Sequence, residues 1–198
     1  MTTINYTNVM DIMGALPYGI IGGIPSLPEA HWLYGAGFLI LGGLLVVESL
    51  AGGVWHRSRL RALVWPSTLV ALGLGVVIVS YVDPTRRLIH FLLGVSLVAC
   101  GVFEARQRLR QIPRRSADIV VVFVLVLSGI LIGPFHYEGA ILSDASQRHM
   151  LMGVTTFVLA GLRVGQSFRP TSASLAAVFG IVFMALALQL LLMPGEHH

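Results

Sequence analysis

Three histidines stand at one period: His31, His90 and His149, 59 residues apart at each step (90 − 31 and 149 − 90). Each opens the same phrase, His31-Trp-Leu-Tyr-Gly35, His90-Phe-Leu-Leu-Gly94 and His149-Met-Leu-Met-Gly153, and each phrase leads into a long apolar run. Imidazole near neutral pH ligates metals and haem iron and exchanges protons. Three copies could hold copper or zinc, or two could clamp one haem b, if the elements that carry them surround a common axis. The glycine four residues after each histidine lies one turn away on the same helix face. That leaves room for a flat macrocycle or for a closely packed helix. Met150 and Met152 flank the third histidine and would suit copper. The competing reading is structural: a helix-start histidine kept through duplication, hydrogen-bonded or solvated at an interface. A third is a group that responds to pH.

Other residues could join this chemistry. His136 and Glu138 follow the fourth apolar run, and Glu196-His197-His198 follows the sixth. His136 and Glu138 are candidate metal ligands if one face collects these loops, although polar residues also belong in any exposed loop. Glu48 and Glu104 lie near the ends of the first and third runs. Glu104 and Arg163 are again 59 apart (163 − 104), so they hold equivalent positions in successive repeats. They could pair between helices, since an unpaired charge near lipid is costly, or each could snorkel to the interface.

The elements that must position these groups are membrane spans. The chain is 56% hydrophobic and 11% charged, against roughly 25% charged in a soluble domain. Its mean hydropathy is +0.83. Several runs approach the roughly 20 apolar residues that a bilayer demands. The expected fold is an all-α integral membrane protein of six transmembrane helices, arranged as three tandem helical hairpins. The spans fall at about 32–54, 62–82, 88–107, 117–135, 147–166 and 172–193. Residues 1–30 form a separate N-terminal segment, interrupted by Pro17, Gly22-Gly23 and Pro25 and read as lying on the outer face. Residues 31–198 form the membrane domain, with repeats at about 31–89, 90–148 and 149–198.

Helix-start signals sit just before each histidine. They are Ser26-Leu-Pro28-Glu29, Asp83-Pro84-Thr85 and Asp144-Ala-Ser146-Gln147, patterns that cap helix N-termini. Each histidine then falls in the first or second turn of its span. Small residues also recur at the period, as Gly42-Gly43, Cys100-Gly101 and Ala160-Gly161, and small residues let membrane helices approach closely.

All positive charge is arginine. Ten arginines follow spans one, three and five, while only Arg86, Arg87 and Arg148 lie at the other ends. The positive-inside rule then puts both termini and all three repeat histidines outside, which is the periplasm if the membrane is a bacterial inner membrane. The first arginine is Arg57, so no basic region precedes an apolar stretch and the first span is expected to act as the insertion signal. The one cysteine, Cys100, lies within a span, which leaves no internal disulfide and suggests a packing residue. Nucleotide-binding glycine loops, a serine elbow and a zinc-protease HExxH are absent. The arginines read as topology signals with anionic-lipid contact rather than a nucleic-acid surface.

The second repeat, Leu92-Leu-Gly94-Val-Ser-Leu-Val-Ala-Cys-Gly101-Val-Phe-Glu104-Ala-Arg106, resembles the short helical repeat of HdeD-like acid-resistance membrane proteins, which are also small six-span hairpin proteins. The repeated histidines depart from that pattern. The resemblance implies a non-enzymatic inner-membrane protein linked to stress, and it carries over no functional residue.

Three functions stay open on the sequence. The first is a non-catalytic integral subunit or accessory protein of a larger membrane complex, its partners being the bilayer and other subunits or a second copy. The second is an outer-leaflet protein that binds copper, zinc or haem b through His31, His90 and His149, for metal handling or electron transfer. The third is a small transporter, disfavoured by span centres that lack ionisable residues.

Overall fold

The computed structural model describes residues 27–51, 58–80, 87–133 and 144–192. Six helices make up these residues: α1 (Leu27–Ala51), α2 (Arg59–Val79), α3 (Arg87–Arg108), α4 (Arg114–Ile132), α5 (Asp144–Phe168) and α6 (Ala173–Leu191). Each is long and apolar enough to cross a membrane. Their 19 to 25 residues span about 28–38 Å at 1.5 Å per residue, which matches a hydrocarbon core of about 30 Å. Large apolar side chains such as Ile40, Leu60, Phe123 and Ile181 point outward, as a lipid-facing surface requires. The described residues are those of a six-helix membrane protein, and the histidines lie in the first two turns of α1, α3 and α5 as their sequence context predicts. Of the expected caps, Ser26 and Asp83 lie outside the described residues, while α5 does begin at Asp144.

The helices close into a ring, but the tightest seams are not those within the hairpins. Helix α3 packs most closely on α2, α5 on α4, and α6 on α1; the partners within each repeat touch less. The first helix of every repeat therefore lies against the second helix of the repeat before it, and the last repeat closes onto the first. Glycine makes these seams. A Cβ on Gly94 would meet the Val77 nitrogen at 2.7 Å and the Gly73 oxygen at 2.8 Å. Gly42 and Gly180 face each other in the same way, as do Gly153 and Gly129.

The seams repeat with the sequence. Gly42 lies against Met184 and Gly101 against Pro66. Gly101 follows Gly42 by one period, and Met184 follows Pro66 by two (184 − 66 = 118). Equivalent residues thus meet equivalent residues, which is a pseudo-three-fold ring. Gly35, Gly94 and Gly153 all sit on these seams. Of the two uses open to the glycine after each histidine, the structure realises the closely packed helix and leaves no slot for a macrocycle.

Candidate functional site

A pseudo-three-fold ring points equivalent residues at one axis, and here they line a chamber of about 160 Å³. His31, His90 and His149 all line it. Next along the odd helices come Tyr34, Leu93 and Met152, then Phe38, Leu97 and Thr156, each set spaced by 59 residues. The even helices contribute Trp65, Val124 and Phe183 at the same period. The wall is therefore built in layers, one residue from each repeat. Aromatic edges stiffen it. Phe183 meets Phe38 edge-on at 5.4 Å and Trp65 edge-on at 5.9 Å, and it stacks on Phe179 at 6.3 Å.

Polar groups in the middle of the chamber are few. The Thr156 hydroxyl donates to the Met152 carbonyl at 2.8 Å, so its hydrogen is used within the helix. Ser128 and the Cys100 thiol also line the wall. Cys100, expected as a packing residue, is buried with a free thiol and lines the space.

The far end of the chamber is charged. The equivalent positions there are Leu45, Glu104 and Arg163, and one turn further Glu48, Gln107 and Gln166. Glu104 is 3% exposed and Asp118, from α4, also 3%, and burying a carboxylate is costly unless it is paired and hydrogen-bonded. Arg163 bridges both: its Nη2 donates to Glu104 Oε1 and lies 2.8 Å from Asp118 Oδ1. Arg108 reaches Glu48 Oε1 at 2.8 Å and Glu104 Oε2 at 3.7 Å, and Arg114 sits 3.6 Å from Asp118. Three arginines thus face three carboxylates, and the six residues together come from all three repeats.

Arg108 has a second task. Pro66 lies inside α2 and has no N–H to give the carbonyl four residues back. That carbonyl belongs to Ala62, and Arg108 Nη1 donates to it at 3.0 Å.

Beyond the network, at the end where the described arginines collect, opens a larger vestibule of about 930 Å³. Trp65, Glu104 and Phe179 line both spaces. From His90 to Glu104 along α3 is 14 residues, about 21 Å. The axis therefore runs from a histidine layer, through an apolar middle, to a buried charge layer and a polar mouth.

The structure brings the three repeat histidines to one chamber. Among the described residues, however, no group of three His, Cys, Asp or Glu side chains is placed to hold a metal ion. A chamber of about 160 Å³ is also smaller than the roughly 300–1,000 Å³ of ordinary ligand pockets, so a haem b does not fit inside it. His136 and Glu138 lie outside the described residues. The Glu104–Arg163 pairing suggested by the repeat is present. Arg108, Arg114 and Asp118 were not singled out by sequence. Their signal was the spacing of four residues in Glu104–Arg108 and Arg114–Asp118, which puts each pair on one helix face.

Comparison of the chain with known protein families, with curated proteins and with solved structures yields no match in any of the three.

Proposed function

We propose that this protein is a non-catalytic membrane carrier that takes a small, neutral, largely apolar molecule into the axial chamber and passes it along the ring axis. One observation supports this above others: four sets of three repeat-equivalent residues face one shared space. Equivalent positions of the three repeats line that space layer by layer, mostly with apolar side chains, which supports a role for the space itself. An apolar cavity of about 150 Å³ stays dry and takes up benzene or xenon, which sets the size and polarity of the guest. The buried ionisable cluster at the end of the path is a common mark of substrate routes in membrane proteins.

The same proposal orients the molecule. Arginine-rich ends face the cytoplasm, so the vestibule opens inward and the histidine layer outward, in the plasma (inner) membrane. The likeness to HdeD-like proteins would give the carrier a setting in stress.

The test is ligand-observed NMR with benzene, phenol and indole on the purified protein in mild detergent. Leu97→Trp fills the chamber, while Leu92→Trp alters an exposed face. Saturable binding that survives L92W and is lost in folded L97W supports the proposal. Equal binding by both variants, or none by the unaltered protein, overturns it.

A further inference from the structure

We infer that the vestibule at the arginine-rich end is a binding site for a phosphate group. This holds whether or not the apolar chamber carries a solute. Three of the arginines at this end, Arg108, Arg114 and Arg163, are matched by Glu48, Glu104 and Asp118. Arg61, Arg106, Arg110, Arg115 and Arg169 have no ion pair among the described residues, so this end carries five uncompensated positive charges. An excess of positive charge at this end attracts anions to it.

The site is built for an anion in its detail as well. Its volume of about 930 Å³ falls within the usual range for ligand pockets, roughly 300–1,000 Å³. Arg110 is the member of the unmatched set that lines it, together with the amides of Gln107 and Gln111 and the hydroxyls of Thr171 and Ser172. Guanidinium presents a planar fork of donors suited to phosphate oxygens, and the amides and hydroxyls add neutral donors. Helices α4 and α6 both begin at this mouth, and helix N-termini favour negative charge. Basic pockets between membrane helices are known places for phospholipid headgroups. A free phosphate ester has the same chemistry.

Arg110 offers a clean variant. Its φ of 59° is the left-handed region that glycine takes without strain. R110G therefore removes the guanidinium and keeps the turn between α3 and α4. R115Q removes one charge from an exposed residue outside the vestibule and controls for overall charge. The experiment is calorimetric titration of glycerol 1-phosphate and of inorganic phosphate into the full chain in neutral detergent at constant ionic strength. A parallel arm compares melting in nanodiscs of phosphatidylcholine with and without phosphatidylglycerol.

Saturable binding of a soluble phosphate, weakened about tenfold by R110G and unchanged by R115Q, supports a free-phosphate ligand. Stabilisation by phosphatidylglycerol alone, lost in R110G and kept in R115Q, supports a lipid headgroup. Absence of both effects, or equal losses in R110G and R115Q, overturns the site.

Discussion

Glu104 and Arg163 are one repeat period apart in sequence and joined side chain to side chain in the structure. At the equivalent position of the first repeat stands Leu45. Equivalent positions of the three repeats are thus apolar, acidic and basic, and the last two pair across the ring. Arg163 also holds Asp118, so its loss leaves two buried carboxylates with only the longer contacts to Arg108 and Arg114. R163M should cost about 3–5 kcal/mol, the range for breaking a buried pair from one side. E104Q/R163Q should cost less than the sum of its single variants, by about 0.5–3 kcal/mol of coupling. Denaturant unfolding in mild detergent measures both, and strict additivity would contradict the pairing.

Pro66 and Arg108 make a second coupled pair. The guanidinium serves both Glu48 and the carbonyl that the proline leaves without a donor. P66A would give the Ala62 carbonyl its own backbone N–H. R108Q should therefore destabilise less in a P66A background than in the unaltered chain, by about 1 kcal/mol, the net worth of one hydrogen bond. Equal losses in the two backgrounds would show that Arg108 acts through its carboxylate partners alone.

The glycines divide by the seams they occupy. A methyl at Gly94 would press on backbone atoms of α2 at 2.7–2.8 Å, whereas one at Gly43 meets nothing within 4 Å. G94A should destabilise by about 1–3 kcal/mol, as overpacking does. G43A should be neutral or stabilising by up to about 1 kcal/mol, through helix propensity. Thermal melting of the two variants side by side checks the ring, because hairpins packed only within repeats would leave Gly94 free of α2.

Helix α5 is tied to α6 by the Thr155 and Gln189 side chains, whose Nε2-to-Oγ1 distance is 3.0 Å. Interhelical bonds of this kind in membranes average about 0.6 kcal/mol. Q189L should therefore lower stability only slightly. A loss of several kcal/mol would mean that the bond does more than join two helices.

Much of this architecture was legible in the sequence because it is written three times. The period of 59 residues located the histidine layer and the Glu104–Arg163 relation, and hydropathy located the six helices to within a few residues. The direction of closure was not legible. Nothing in a tandem hairpin pattern says that α3 prefers α2 to α4; that choice rests on the fit of Gly94 against Gly73 and Val77, a match between residues in different repeats. The glycine after each histidine was ambiguous for the same reason, since the space beside a glycine is defined by what the neighbouring helix puts there. The three histidines suggested a ligand set by type alone. The ring gives them a shared chamber without the close approach that a metal requires.

The chamber itself can be probed through Cys100, the one cysteine of the chain, which lines its wall. The most direct measurement is the rate at which this thiol is modified in the native, detergent-solubilised protein. Small, neutral methyl methanethiosulfonate is compared with its bulky trimethylammonium-ethyl analogue, with and without saturating benzene. A narrow apolar chamber predicts modification by the neutral reagent, little by the cationic one, and protection by benzene. Equal rates for the two reagents with no protection would contradict it.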